Sequence, residues 1–125
     1  MIQYAWFPTE FDDNTEGWSC RMVSRRKKIG VAHVIYNSRN PNGLILAALR
    51  VKPPYQRQRY GRLLLQQVID EFSVPEWHEL RLIVQPFGDK PLDETQLIRF
   101  YQRFGFVRLP TRGQYPLMRR LLFSE

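Results

Sequence analysis

Between residues 51 and 62 the chain reads Val51-Lys52-Pro53-Pro54-Tyr55-Gln56-Arg57-Gln58-Arg59-Tyr60-Gly61-Arg62. Just after it Leu64, Leu65, Val68, Ile69 and Phe72 recur at helical spacing and form one apolar face. A helix N-terminus presents backbone N–H groups without intrahelical partners and a partial positive charge. A loop of main-chain amides leading into such a terminus suits a phosphate or pyrophosphate, and Arg57, Arg59 and Arg62 add formal charge beside it. A solvated basic turn ahead of an ordinary amphipathic helix would use the same residues. One glycine does not make a Walker-type loop, and no Gly-Lys-Ser/Thr is present.

The charge layout agrees with an anionic ligand there. The net charge is +7, but residues 1–16 carry four acids and no base, residues 17–62 carry eleven bases and no acid, and residues 63–125 carry eight of each. The excess therefore lies in one contiguous third of the chain. Within it Arg21, Arg25, Arg26, Lys27 and Lys28 cluster with Trp18 nearby, which suits nucleic acid or, more plainly, a solvated hairpin turn. Nucleic acid ranks last among the partners considered. No run is long and apolar enough for a membrane-spanning helix, and the acidic N-terminus is not a signal peptide. The single cysteine, Cys20, excludes internal disulfides and multi-cysteine zinc sites, and His33 and His78 stand far apart, so no metal is expected. A reducing, cytoplasmic setting follows as the default.

The elements that must position the loop can be read around it. Residues 2–7 read as a short strand, 8–17 as a polar, acidic loop, 18–26 as a strand with a basic face, and 29–36 as a strand rich in β-branched and aromatic residues. Asn40-Pro41-Asn42-Gly43 is a turn signal. Residues 44–51 are apolar apart from Arg50, as in a central strand covered on both faces. The helix after Gly61 stops at Pro75, residues 79–85 alternate as a strand, and 86–92 form a loop. Asp93 with Gln96 makes an N-terminal capping pair, Leu97, Phe100, Tyr101 and Phe104 follow at helical spacing, and Gly105 fits the position past the helix end. Residues 106–109 and 117–123 read as the last strands. The order predicts an α/β (α+β) architecture with a mixed sheet of about six or seven strands flanked by two main helices. A length of 125 residues fits one domain, 1–125.

Two blocks carry a family resemblance. Gln56 to Gly61, behind Val51-Lys52-Pro53, resembles the acetyl-CoA loop Gln/Arg-x-x-Gly-x-Gly/Ala of GNAT N-acetyltransferases. Phe100-Tyr101-Gln102-Arg103-Phe104-Gly105-Phe106 is similar to that family's Phe/Leu-Tyr-x-x-x-Gly-Phe signature. The resemblance covers roughly residues 18–123. It implies a single-domain fold in which the strand at 44–51 parts from the strand at 79–85. Backbone N–H groups near Leu49 and Val51 would meet the pantetheine arm and thioester oxygen. Gln56, Arg57, Gln58, Arg59, Tyr60, Gly61 and Arg62 would hold the cofactor's pyrophosphate. Tyr101 would be the general acid for the leaving thiolate, although its spacing with Leu97 and Phe104 equally suits a core aromatic.

Two departures bear on chemistry. Arg59 stands where the family's loop has its middle glycine, and residues 17–69 contain no Asp or Glu to serve as the usual strand base. Glu79, His33 or a bound water are the candidates for that role, with His33 read first as a satisfied core histidine and Glu10, Asp12 and Asp13 as a solvated loop. The short segment before residue 18 implies that the family's N-terminal helices are reduced or absent and that the acceptor groove is open. The expected activity is acetyl-CoA-dependent transfer to an amine, a protein amine included, by a monomer or homodimer. The alternative is a catalytically weak protein of this fold that binds CoA and modulates a partner protein.

Overall fold

The computed structural model describes residues 1–12, 15–36, 42–56, 58–85 and 93–122. Seven strands form one sheet: β1 (Ile2–Asp12), β2 (Thr15–Ser24), β3 (Lys27–Tyr36), β4 (Gly43–Val51), β5 (Glu79–Ile83), β6 (Val107–Leu109) and β7 (Leu117–Leu121). Their order across the sheet is β1-β2-β3-β4-β5-β7-β6. The β4–β5 pair is parallel and the other ladders are antiparallel, as expected of a mixed sheet. Helix α1 (Tyr60–Phe72) links β4 to β5, and α2 (Glu94–Gln102) follows β5. The expected loop at 86–92, and Asn40 and Pro41 of the turn signal, lie outside the described residues.

The expected loop over residues 8–17 is replaced by a strand pair. β1 continues through Pro8 to Asp12, and Pro8 and Thr9 sit opposite Trp18 and Gly17 of β2. Proline survives here because β1 is an edge strand, where one row of amides needs no partner. The chain therefore passes from β1 to β2 without a helix, which matches the expected reduction of the N-terminal helices. At the next hairpin Ser24 pairs with Lys27, leaving Arg25 and Arg26 as a two-residue turn with φ of 52° and 65°. Such turns match the twist of the strands but normally use Asn and Gly, since a side chain in the left-handed region is strained.

Both helices pack on the same face of the sheet. Leu64, Leu65, Val68, Ile69 and Phe72 of α1 are buried against Leu44, Leu46, Leu80, Leu82 and Met118. Each such side chain contributes about 1.5–3 kcal/mol by leaving water. β4 alternates rather than being covered on both faces: Leu44 and Leu46 are buried, while Ile45 and Ala47 are exposed on the side away from the helices. Its unbroken apolar run hid this, because alanine and isoleucine at exposed positions read the same as core residues.

The far end of α1 is held by rings. Phe72 meets Trp6 at 5.4 Å, Trp18 at 5.3 Å and Trp77 at 6.3 Å between centroids, and Trp18 stacks on Tyr36 at 5.5 Å. Trp18 thus belongs to the helix face and is no companion to the basic turn at Arg25 and Arg26. α2 begins as its sequence predicts. Asp93 Oδ1 accepts from Gln96 N at 2.8 Å, and Asp93 N donates to Gln96 Oε1 at 3.0 Å. Gly105, at φ +87°, ends the turn after α2 in a conformation that glycine adopts freely.

Relieving the strained turn should stabilise the fold. The double substitution Arg25→Asn/Arg26→Gly is expected to raise the unfolding free energy by about 1–2 kcal/mol. Urea unfolding checks this, and an unchanged or lower midpoint would contradict it.

Candidate functional site

The sheet is divided where its parallel pair begins. β4 and β5 pair at Gly43–Glu79, Leu44–Leu80 and Ile45–Arg81, and there the ladder stops. From Leu46 to Val51, β4 keeps its pairing with β3 and has no described strand along its other edge. Backbone groups of successive residues address opposite edges of a strand. Lys52 N donates to Ile29 O at 2.8 Å, and a Cβ on Gly30 would stand 2.6 Å from Arg50 O, so residues 50 and 52 address β3. Leu49 and Val51 therefore turn their amides to the open edge. The register of β3 on β4 also slips: His33 is opposite Ala48 but Val34 is opposite Leu46, so Ala47 is an extra residue in a bulge. Bulges of this kind re-aim the residues around them.

The loop leaves the end of that edge. A 3₁₀ turn over Pro53–Tyr55 carries the chain off β4, and Gln56 Nε2 donates back to Val51 O at 2.8 Å. The predicted contact residue Gln56 thus has a structural task, tying the loop to the strand end. Arg57 lies outside the described residues. Gln58 is exposed, and Arg59 is the N-cap of α1 with φ −81° and ψ 7°. The position therefore requires no left-handed backbone, and arginine occupies it without strain. Its side chain makes no capping hydrogen bond, and the first turn holds no acid. Among the described residues no side chain caps the first N–H groups of α1, and Lys52, Arg59 and Arg62 are exposed near them. Tyr60 packs edge-on to Tyr55 at 5.9 Å. A Cβ on Gly61 would meet Phe100 Cζ at 3.9 Å, an ordinary contact, so no protein neighbour demands glycine there.

The same contact brings the two sequence blocks together, since Phe100 belongs to α2. Next to it, Tyr101 packs against Phe100 at 5.2 Å and Phe106 at 5.6 Å. No hydrogen bond to its hydroxyl occurs among the described residues. Burial pushes the phenol up to about 12, so it stays protonated throughout the neutral range. Its carbonyl accepts from Phe104 N at 2.9 Å and Phe106 N at 3.3 Å, which locks the end of α2.

The opposite face of the sheet holds the remaining candidates. Glu79 is ion-paired with Arg81 two residues along β5. His33 is not a core residue as expected. It is half-buried on the face away from the helices, with Nδ1 2.8 Å from Ser19 Oγ. Ser19 Oγ lies 2.8 Å from Thr9 Oγ1, and Thr9 Oγ1 donates to Phe7 O at 3.4 Å. The ring of Phe11 stands edge-on to His33 at 5.2 Å. Burial first, then the positive charges of Arg50 and Lys28, hold the imidazole below its ordinary value. The sequence does not reveal this chain of polar groups, because the polar, proline-containing stretch around Thr9 has the composition of a loop. Its signal was present only as alternation, Phe7-Thr9-Phe11 on one strand and Ser19-Arg21 on the next. A cavity of about 460 Å³ lined by Gln3, Tyr4, Ala5 and Val23 lies at the outer edge of the sheet and includes none of these groups.

A family model described as an acetyltransferase (GNAT) domain matches residues 17–108. No curated protein sequence matches the chain. Among solved structures, PaiA N-acetyltransferase from Thermoplasma acidophilum in complex with coenzyme A is 21% identical with a TM-score of 0.66, covering 82% of this chain and 59% of its own. The chain thus spans a little over half the length of that relative. A GNAT family acetyltransferase from Elizabethkingia anophelis with acetyl-CoA bound gives 17% identity and a TM-score of 0.64, covering 85% of this chain and 76% of its own. A ribosomal-protein-alanine N-acetyltransferase from Escherichia coli gives 22%, 0.67, 86% and 70%. At these identities the likeness is one of fold.

The state of Tyr101 can be read directly. Its phenol is raised, so the folded chain holds the proton longer than the unfolded chain, and this contribution to stability is lost as pH climbs from about 10 toward 12. Ultraviolet titration of the wild type against Tyr101→Phe should assign to residue 101 a tyrosinate that forms near pH 12. A difference spectrum developing at pH 10 would contradict the burial.

Proposed function

Because this chain belongs to the GNAT acetyltransferase domain family, we propose that it transfers an acetyl group from acetyl-CoA to an amine. The observation that carries this reading is the open edge of β4 ending at the uncapped, acid-free and basic N-terminus of α1. A diphosphate fits that terminus because backbone N–H groups, the helix dipole and arginine side chains all favour negative charge there. The neighbours solved with coenzyme A and acetyl-CoA support the same ligand.

Each part of the site then has a task. The amides of Gly61 and Arg62, with the side chains of Arg57, Arg59 and Arg62, hold the diphosphate. Tyr60 braces the loop through Tyr55, and Gln56 fixes it to Val51, with Gln58 exposed at the loop's outer side. The amides of Leu49 and Val51 bind the extended arm as an added strand would, and the Leu49 N–H meets the thioester oxygen. A preorganised donor there contributes about 3 kcal/mol to the transition state. Tyr101 donates a proton to the departing thiolate, and its burial keeps that proton in place until then. The unstrained backbone of Arg59 removes one ground for a chain that keeps the fold without the chemistry.

The acceptor is an amine on a protein. β1 leads into β2 through a hairpin, so no N-terminal helix stands between those strands to narrow the approach. The Escherichia coli neighbour, an N-acetyltransferase of a ribosomal-protein alanine, supports a protein amine as acceptor.

Calorimetry with acetyl-CoA should show one site, and absence of binding at high micromolar concentration would sink this reading. Gly61→Ala should leave the fold intact or stabilise it by up to about 1 kcal/mol, since alanine suits a helix better. It should nonetheless weaken acetyl-CoA by about tenfold, because a methyl at residue 61 adds bulk beside the backbone amides that the diphosphate must approach closely. Tyr101→Phe should lower turnover by about 10²-fold while leaving acetyl-CoA affinity unchanged. Unchanged turnover would remove Tyr101 from the acid role.

A further inference from the structure

The hydroxyl chain on the open face has a direction. A carbonyl can only accept, so the Phe7 oxygen takes the Thr9 proton. Thr9 Oγ1 must then accept from Ser19, which lies 2.8 Å away, and Ser19 Oγ must accept from His33 Nδ1–H. An imidazole that donates from Nδ1 carries its lone pair on Nε2. Ser19 is 2% exposed, so the relay is built into the sheet rather than laid on it.

The position of His33 relative to the split gives this lone pair a use. His33 is the register partner of Ala48, whose neighbour Leu49 turns its amide to the open edge of β4. Adjacent strands are about 4.8 Å apart, so the imidazole stands one strand away from that edge. The residues over which it must reach are Ala47 and Ala48, the smallest side chains on the strand apart from Gly43. α1 and the phosphate site approach from the other face. A donor held from the helix side leaves the open face for the acceptor.

Resting on the acetyltransferase reading, we propose that His33 is the general base for the acceptor amine, held in its basic tautomer by Ser19 and Thr9, and that the amine arrives over Ala47 and Ala48 on the open face of the sheet. The neutral amine attacks the carbonyl carbon and forms the C–N bond. The nitrogen, made acidic by that bond, gives its proton to His33 Nε2. The C–S bond breaks, and the thiolate takes the proton of Tyr101. His33 then returns its proton to solvent and Tyr101 takes one back from solvent, so both residues end the cycle as they began it. The charged groups acting on the imidazole are Arg50 on β4 and Lys28 on its own strand, and Arg21 on β2 shares its face of the sheet, 4.9 Å over the Phe7 ring. Glu79 on β5 is engaged by Arg81. Burial first, and then the charges of Arg50 and Lys28, favour the unprotonated imidazole.

Two measurements on the full chain decide the matter. Long-range ¹H–¹⁵N spectra should show His33 as the Nδ1–H tautomer, with His33→Gln supplying the assignment against His78, and Ser19→Ala should abolish the preference. An Nε2–H tautomer in the wild type would overturn the proposal without any assay of activity. In a thiol-release assay with acetyl-CoA and an aryl amine that stays neutral across the range, wild-type turnover should fall on the acid side of pH 6.5. His33→Gln should lower turnover by about 10²-fold or more and lose that limb. Its affinity for acetyl-CoA should match the wild type, because the change lies on the opposite face from the phosphate site. Wild-type-like turnover in His33→Gln would remove His33 while leaving the acetyltransferase reading standing. Failure of the wild type to acetylate any of a panel of amines would sink that reading, and the base with it.

Discussion

The constraint on which the rest depends is that β4 and β5 pair for three residues and then part. A strand in the middle of a sheet normally spends both rows of backbone groups on its neighbours. Here β4 spends one row, and among the described residues no strand takes the other along Leu46 to Val51, where Val51 O is held by Gln56. Backbone groups left this way seek an extended partner, and an arm carrying amides supplies one as a missing strand would. The parting also places the site. Because β4 and β5 are parallel, α1 must cross between them, and its N-terminus therefore falls at the end of the same open edge. Strand, loop and helix terminus form a single line of donors because one ladder stops early.

How much of this could be read from the sequence depended on how local the cause was. The capping pair Asp93–Gln96, the stop at Gly105 and the apolar face of α1 each rest on residues within a few positions of one another, and each stands where the spacing put it. Pairings between distant strands left weaker marks. Pro8 to Gly17 looked like a loop because it is polar and contains proline, yet the edge position of β1 lets both features sit in a strand. His33 looked like a core residue because its neighbours Ala32 and Val34 are fully buried. Only the register with Ser19 and Ala48 shows that it faces the other way. The loop arginines were legible as charge, but whether Arg59 strained the backbone was a matter of φ, which no residue type reveals.

Two features separate the faces of the sheet. The helix side is apolar and takes its fixed charge from a dipole and a few exposed arginines. The open side carries Arg21, Lys28, Arg50 and Arg81, yet also the rings of Phe7 and Phe11 and the short side chains of Ala47 and Ala48. The bulge at Ala47 is the joint between them. If all of these residues stayed in regular alternation from Leu46 onward, Leu49 and Val51 would point to the open side along with Ala47. With the bulge they turn toward the helices, and the two alanines remain opposite His33.

The same cations explain why a histidine suits this surface better than a carboxylate. A glutamate among Arg21, Lys28 and Arg50 would be drawn into an ion pair, as Glu79 is by Arg81, and its affinity for a proton would fall below an already low value near 4.3. An imidazole in the same field is also lowered, but it starts near 6.5 and cannot form a salt bridge while neutral. It therefore keeps its lone pair, and the serine and threonine beneath it fix which nitrogen carries that pair without adding a charge. The basic stretch that favours the diphosphate on one face thus disfavours an acidic side chain on the other. A neutral base anchored by hydroxyls meets both demands at once.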